Sequence, residues 1–110
     1  MHINEAEKRN FINKVRAALR NKNYENLDKR RSYRRTIAAL GITDDDVMDD
    51  IMNLSWDENW TKEKDKNSSF GGYVWQCKKI LHNNKIYIKL KIKVEENGKL
   101  LIMSYHFDEI

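Results

Sequence analysis

One segment of the sequence alternates apolar side chains with side chains that bind anions or exchange protons. Between Lys85 and Val94, every second position carries a phenol or an amine, at Tyr87, Lys89, Lys91 and Lys93. An alternation of period two places the two kinds of side chain on opposite faces of a β-strand. The segment therefore predicts a strand with one apolar face and one basic face that could hold an anion.

Neighbouring segments carry further polar side chains at the same spacing. Gln76 and Lys78 precede the tyrosine–lysine segment, and Ser104 and His106 follow it. Apolar residues alternate with both pairs, so two more strands are expected, over 73–80 and 99–107. The reference pKa of histidine is about 6.5, which lets an imidazole act as an acid or a base near neutral pH.

The turns between the three strands set which side chains lie opposite each other. Asn83-Asn84 and Asn97-Gly98 are interpreted as two-residue hairpin loops. This register predicts two polar rows, Gln76–Lys91–Ser104 and Lys78–Lys89–His106, with Tyr87 beside the second. It places Val94, Leu101, Met103 and Tyr105 on the apolar face. Like charges directly opposite each other destabilise a sheet, so this many cations on one face favours an anionic partner.

A plainer interpretation of the polar face is also open. Antiparallel sheets commonly leave one face to solvent. Tyr87 would then be a rim aromatic, His106 a solvated histidine at a strand end, and Gln76 an ordinary exposed strand residue. The combination of residue types favours a ligand over this alternative.

Helical patterns precede the strands. Apolar residues recur every three or four positions over residues 4–21 and again over 26–40, which predicts two helices. Gly41 follows the second helix where a left-handed cap residue is expected. Thr43 and the three aspartates after it indicate the capped start of a third helix, an interpretation favoured over a metal-binding cluster. Residues 55–71 are rich in Ser, Asn, Lys and Gly and predict a long loop.

Length and composition favour one small domain over the whole chain, residues 1–110. The expected fold is α+β, with N-terminal helices packed on a C-terminal antiparallel sheet of three or more strands. Cys77 is the only cysteine, which excludes an internal disulfide and a cysteine-based zinc site. The longest apolar run, residues 100–103, is too short to cross a membrane, and the first residues lack signal-peptide character. A cytoplasmic protein is expected.

The net charge of +4 is distributed unevenly. Residues 1–40 carry +7, residues 41–65 carry −7 and residues 66–110 carry +4. The first 36 residues predict a basic helical region. Phosphate contacts are predicted for Arg30, Arg31, Arg34, Lys78, Lys89 and Lys91. The acidic stretch could dock a basic partner, although ordinary solvated helix faces would explain the same pattern.

From Ile37 to the C-terminus the chain resembles the MqsR family of mRNA interferase toxins, which have the RelE-like fold. The residues that carry the resemblance are Trp60-Thr61-Lys62, Trp75-Gln76, the strand from Ile86 to Ile92, and the segment from Ile102 to His106. The resemblance implies that the catalytic residues are Lys62, Gln76, Tyr87 and His106. The first 36 residues lie outside it.

The resemblance implies that this protein is the toxin of a type II toxin–antitoxin system, with mRNA as its substrate and a cognate antitoxin as its partner. Such an endoribonuclease works without a metal ion or cofactor, because the 2′-hydroxyl of RNA attacks the adjacent phosphate and expels the 5′-oxygen. Tyr87 and His106 would supply the acid and the base, in an order left open, and Gln76 would orient the phosphate or a base. The lysines would stabilise developing charge and lower the pKa of Tyr87.

Two other classes of function fit the sequence. A non-catalytic nucleic-acid-binding module would use the same cations, bind RNA with a steep salt dependence and leave it intact. A regulatory domain that binds only protein partners would make the basic face incidental.

Overall fold

The computed structural model describes residues 2–28, 30–67 and 71–108. Within these ranges the chain forms three α-helices and five strands. They are α1 (Glu5–Arg20), β1 (Tyr24–Asn26), α2 (Arg31–Leu40), α3 (Asp44–Met52), β2 (Thr61–Lys64), β3 (Tyr73–Leu81), β4 (Asn84–Lys93) and β5 (Lys99–Phe107). A short 3-10 turn, Val94–Glu96, links β4 to β5. The predicted α+β class is confirmed.

The ends of the helices follow from local hydrogen bonding. The Asn4 side chain accepts a hydrogen bond from the Glu7 N–H at 2.8 Å and begins α1. Thr43 Oγ1 accepts from the Asp46 N–H, and the Asp46 carboxylate accepts from the Thr43 N–H. Gly41 ends α2 in the left-handed conformation, at φ 69°. The predicted capping box and glycine cap are both confirmed, and the aspartates of α3 stabilise its first turn.

The second helix begins later than the sequence predicts. It was expected over 26–40, but it starts at Arg31, and residues 24–26 form β1 instead. The Asn26 side chain accepts a hydrogen bond from the Asp28 N–H at 2.9 Å. This local bond competes with a helical backbone and lets the chain turn out of the strand before the helix begins.

The sheet has the strand order β1-β5-β4-β3-β2. β1 pairs with β5 in parallel, whereas the other neighbours are antiparallel, so the prediction of a purely antiparallel sheet is wrong at this edge. β2 lies within the segment 55–71 that was predicted as a loop. Both missed strands are short and polar, and therefore lack the alternation that reveals a half-buried strand.

Both predicted hairpin registers are wrong, the first by two residues and the second by three residues at its turn. The β3–β4 turn is His82-Asn83, with φ of 52° and 65°, and Leu81 pairs with Asn84. The β4–β5 connection spans residues 94–98, and Lys93 pairs with Lys99. The observed polar rows are Gln76–Lys89–Ser104 and Lys78–Tyr87–His106. In these rows each partner is displaced by two residues, an even number, so the side chains stay on the predicted face.

A bulge in β5 changes the faces of the residues before it. Lys89 pairs with Ser104 but Leu90 pairs with Ile102, so Met103 is the extra residue. Leu100 and Ile102 are fully buried, whereas Leu101 and Met103 are only partly buried. Val94 is 74% exposed in the turn. The predicted core positions of Val94, Leu101 and Met103 are therefore wrong, while Tyr105 is buried as expected.

The core lies between the apolar face of the sheet and the helices. Phe11 of α1 stacks on Trp75 of β3, with ring centroids 4.2 Å apart and nearly parallel planes. Tyr33 of α2 meets Tyr105 of β5 edge to face. Aromatic pairs in these geometries add to the stabilisation from burial. None of the helices in the described ranges is both long and apolar enough to cross a membrane.

Beyond the end of β1, side chains accept the hydrogen bonds of backbone N–H groups along the edge of β5. The N–H of Tyr105 donates to the Asp28 carboxylate at 2.9 Å, and the N–H of Phe107 donates to Thr36 Oγ1 at 3.1 Å. Unpaired N–H groups on a sheet edge would otherwise require water or another strand. The β1–α2 connection and α2 therefore sit firmly against the end of β5 that carries His106.

Several buried groups make the stability of the protein sensitive to high pH. Burial raises the pKa of the Tyr33 and Tyr105 phenols, and hydrogen bonds to Asp44 and Asp50 raise it further. Burial also raises the pKa of the Cys77 thiol to about 12. The folded state thus binds these protons more tightly than the unfolded chain. Their stabilising contribution is complete below the unfolded pKa values and is lost as pH rises above them.

We expect the free energy of unfolding to fall steadily above about pH 9, where unfolded cysteine and then tyrosine begin to ionise. Urea unfolding followed by circular dichroism at a series of pH values measures this slope. The Tyr105→Phe variant removes one of the responsible protons, so its slope should be shallower than that of the wild type. Equal slopes would contradict this assignment.

Candidate active site

Three of the four residues predicted to be catalytic lie together on the polar face. Gln76, Tyr87 and His106 come from β3, β4 and β5, and Tyr87 pairs directly with His106 across the sheet. The Tyr87 hydroxyl donates a hydrogen bond to Gln76 Oε1. The rings of Tyr87 and His106 are 5.3 Å apart, with an interplanar angle of 63°. An amide, a phenol and an imidazole therefore form one contiguous group.

The backbone selects the tautomer of His106. Its Nδ1 lies 2.9 Å from the carbonyl oxygen of Phe107. A carbonyl oxygen only accepts hydrogen bonds, so Nδ1 must carry the proton of this contact. In the neutral imidazole, Nε2 then holds the free lone pair. His106 is thereby arranged to accept a proton at Nε2.

The Tyr87 phenol holds its proton more tightly than free tyrosine. Burial raises the pKa of Tyr87, nearby Glu63 and Asp108 raise it further, and Arg30 opposes the shift. The prediction that lysines would lower this pKa is wrong, because loss of hydration and the two carboxylates outweigh the neighbouring cation. At neutral pH Tyr87 is therefore a hydrogen-bond donor and a possible acid.

An open cavity of about 470 Å³ lies over this group. Its lining comes from α2, from three strands and from the residue after β5: Ser32, Gln76, Lys78, Tyr87, His106, Phe107 and Asp108. A second cavity of about 240 Å³ shares Gln76, Lys78 and Tyr87 and extends toward Asn59 and Thr61. Together they form a groove across β3 and β4 that could accommodate an extended chain.

Asp108 is an acidic residue that the predicted set of site residues did not include. Its carboxylate is 3.3 Å from the Lys78 ammonium and 4.0 Å from that of Lys85, and its side chain is largely buried. It continues the alternation of Ser104 and His106 by two residues, and this spacing was the available sequence signal. Lys78 is therefore partly neutralised within the cavity.

Lys89 is the lysine best placed to meet an anion. It lies between Gln76 and Ser104 in one row and is partly buried. No carboxylate of the described residues forms an ion pair with it. At longer range its charge reaches Asp65, whose pKa is lowered mainly by Lys91 and less by Lys89. A partly buried ammonium group without a direct ion pair among the described residues favours an anionic ligand beside it.

Lys91 and Lys62 do not reach the cavity. The Lys91 side chain is buried, and its ammonium binds Asp65 Oδ2 at 2.7 Å and the Gly71 carbonyl at 2.9 Å. Lys62 pairs with Trp75 and so lies on the helix side of the sheet. Its ammonium binds Glu7 at 2.6 Å. On the groove side, the neighbour of Gln76 in β2 is Thr61 rather than Lys62.

The three predicted arginines are placed differently from one another. Arg30 reaches the polar face, where its guanidinium donates to Asp28 and to Ser104 Oγ, each at 2.9 Å. Arg31 and Arg34 are exposed on α2. Arg34 also borders a separate cavity with Asp44 and Asp45. Arg30 is thus the arginine that lies closest to the Gln76–Tyr87–His106 group.

The described ranges contain no group of three or more His, Cys, Asp or Glu side chains that could hold a metal ion. No protein-family model, no curated protein and no solved structure matches the chain. The geometry of the site joins a phenol, an imidazole and the Lys78 ammonium around one groove.

The buried Lys91–Asp65 pair should hold the β2–β3 connection against the sheet. The Lys91 ammonium holds the pKa of Asp65 below its usual value. Asp65→Asn would leave a buried ammonium without a counter-ion, so we expect a loss of about 3 kcal/mol in the free energy of unfolding. Urea unfolding at neutral pH measures the loss.

Asp57→Asn is the matched control, because Asp57 is exposed and this change should leave stability within about 0.5 kcal/mol of the wild type. The double variant Asp65→Asn, Lys91→Met removes both charges and should recover most of the loss. A loss of similar size in the Asp57 and Asp65 variants would refute the role of the pair.

Proposed function

We propose that this protein is an endoribonuclease that cleaves mRNA in the groove over Gln76, Tyr87 and His106. The observation that carries the proposal is the convergence of a proton acceptor, a protonated phenol and an ammonium group that forms no direct ion pair with any described residue. Tyr87 of β4 pairs directly with His106 of β5, and Lys89 lies two residues from Tyr87 on the same face. These positions supply Tyr87 Oη, His106 Nε2 and the Lys89 ammonium. These are the groups that cleavage of RNA by its own 2′-hydroxyl requires.

The proposed reaction moves one proton at each end of the scissile phosphate. His106 Nε2 takes the proton of the 2′-hydroxyl as that oxygen attacks phosphorus. The bond from phosphorus to the 5′-oxygen breaks, and Tyr87 gives its proton to the departing oxygen. The products are a 2′,3′-cyclic phosphate and a 5′-hydroxyl. A proton returned from His106 to Tyr87 through solvent restores the site.

Gln76 and the cations prepare the groove for this step. Gln76 Oε1 accepts a hydrogen bond from the Tyr87 hydroxyl. Substrate entry must therefore redirect this hydroxyl toward the phosphate. Lys89 lies next to Gln76 and would stabilise negative charge on the phosphate oxygens. Lys78 would exchange its contact with Asp108 for one with RNA.

We further propose a toxin of the MqsR family with a RelE-like fold, acting in the cytoplasm and neutralised by a cognate antitoxin. Support comes from the order of the matching segments between Ile37 and the C-terminus and from the shared site of Gln76, Tyr87 and His106. Lys62 departs from this expectation, since it lies on the other face. The proposed chemistry therefore assigns it no part.

A non-catalytic RNA-binding module is the second candidate. The exposed positions of Arg31 and Arg34 on α2, and of Lys85 on the rim of the groove, favour it. Such contacts bind phosphates without requiring a proton donor or acceptor. Cleavage of RNA by the purified protein separates the two candidates. A regulatory domain that binds only protein would neither bind nor cut RNA.

Purified protein should cleave a long RNA in the presence of a chelator and leave 2′,3′-cyclic phosphate ends. Loss of a general acid or base typically costs about 100-fold to 10,000-fold in rate, so Tyr87→Phe and His106→Ala should fall in that range. Tyr73→Phe removes an exposed phenol on the other face and is the matched control. Full activity in both site variants would reject this assignment of the site.

The arginines of α2 should contribute to affinity rather than to chemistry. We expect Arg31→Ala and Arg34→Ala to raise KM with little change in kcat. Each should also reduce, by about 1, the slope of the logarithm of the RNA-binding constant against the logarithm of the salt concentration. Fluorescence anisotropy with an RNA oligomer at several salt concentrations measures that slope. Arg20→Ala, at the exposed end of α1, is the control. An unchanged slope in the α2 variants would place the RNA path elsewhere.

A further inference from the structure

A buried carboxylate anchors the arginine beside the candidate site. The Asp28 side chain is completely inaccessible to solvent. One oxygen, Oδ2, accepts from the N–H of Tyr105 at 2.9 Å, and Oδ1 accepts from Arg30 Nε at the same distance. A carboxylate so fully removed from water requires a cation and several donors. The Arg30 guanidinium is therefore held in place by the Asp28 carboxylate, whose own position is fixed by burial.

A second anchor holds Nη2 of the guanidinium, which also lies 3.4 Å from Asp28 Oδ2. Arg30 Nη2 donates to Ser104 Oγ at 2.9 Å, and Ser104 is only 4% exposed. Ser104 lies in the row of Gln76 and Lys89, so the guanidinium is fixed at the end of that row. Bonds from two separate chain segments define the plane of a group that is normally mobile on a surface.

The remaining edge of the guanidinium is exposed to solvent. The Arg30 side chain is 59% exposed, although both of its anchors are buried. Within residues 2–28, 30–67 and 71–108, no group accepts a hydrogen bond from Nη1. Arg30 is also close enough to Tyr87 for its charge to lower the pKa of the phenol. A fixed cation with free donors thus lies next to the proposed acid.

We infer that Arg30 is a preorganised ligand of the scissile phosphate and that Asp28 and Ser104 are the residues that position it. The inference rests on the proposed function for the identity of the substrate. A planar guanidinium offers two parallel N–H donors to phosphate oxygens, which a lysine ammonium does not. Because the group is already oriented, it stabilises the charge that develops on phosphate without first reorganising.

The cleavage rate at saturating RNA tests the role of Arg30. Removal of one preorganised donor group typically lowers kcat about 100-fold to 1,000-fold, so Arg30→Ala should lose about that much. Arg30→Lys should recover little of it, since the fork is lost. Added ethylguanidinium should restore part of the activity of Arg30→Ala. The same addition should leave Arg20→Ala and the wild type unchanged.

A double-variant cycle tests the role of Ser104 as a positioning residue. Ser104→Ala alone should lower kcat by about 10-fold, within the range of one lost charge-assisted hydrogen bond. In the Arg30→Ala background the same change should have almost no effect, because there is no longer a guanidinium to orient. Losses that multiply would show that Ser104 acts independently of Arg30 and would overturn its positioning role.

Asp28→Asn should also lower kcat, but this variant can lose stability because Asp28 supports the edge of β5. Its thermal unfolding should therefore be measured beside Ser104→Ala, which keeps the buried carboxylate. A merely structural role for Asp28 would lower the fraction folded and leave the kcat of the folded protein unchanged. That result would restrict positioning to Ser104.

Binding of an RNA that cannot be cleaved separates this inference from the proposed function. The Arg30 Nε–Hε signal in NMR spectra of the wild type should shift when a 2′-O-methyl RNA oligomer is added. In the Ser104→Ala variant this shift should be absent or much reduced. If the Arg30 signal of the wild type shifts but the protein does not cut RNA, the proposed nuclease activity is refuted and Arg30 remains a phosphate ligand. A wild type that cuts RNA without any shift at Arg30 would refute the inference alone.

Discussion

The arrangement of the candidate site depends on one buried carboxylate. Asp28 has lost its hydration, and the N–H of Tyr105 and the guanidinium of Arg30 replace it. These bonds connect the segment between β1 and α2 to the last strand, and Thr36 adds a second bond to that strand through Phe107. The end of β5 that carries His106 is consequently held by α2, and Arg30 is delivered to the polar face.

The opposite end of that face is closed by a second buried charge. Lys91 binds Asp65 and the Gly71 carbonyl, which holds these two residues against the sheet. The open groove lies between these two closed ends, where Tyr87 and Lys89 remain partly accessible. Pairing of Lys91 with Asp65 and of Lys78 with Asp108 reduces the positive field of the face. Lys89, beside the phenol, is then the cation of this face that forms no ion pair with a carboxylate of the described residues.

Much of the face could be predicted because strand alternation is robust to small errors in pairing. The first hairpin is displaced by two residues, because His82-Asn83 forms its turn, and the second by three, because residues 94–98 form its connection. The extra residue Met103 makes the second displacement even beyond the bulge, so Gln76, Tyr87 and His106 stay on one side. The bulge at Met103 could not be predicted in this way, because it reverses the faces of Leu101 and Ile102 without any change in local composition.

The sequence by itself determined the helix caps at Thr43 and Gly41, the order of the long strands and the shared face of the three polar residues. Each of these follows from side chains within a few positions of one another. Tertiary structure alone decided that Lys62 faces the helices, that Lys91 is buried, that Arg30 meets Ser104, and that the pKa of Tyr87 rises. These outcomes depend on burial and on charges brought together from distant segments, and local periodicity carries no information about either.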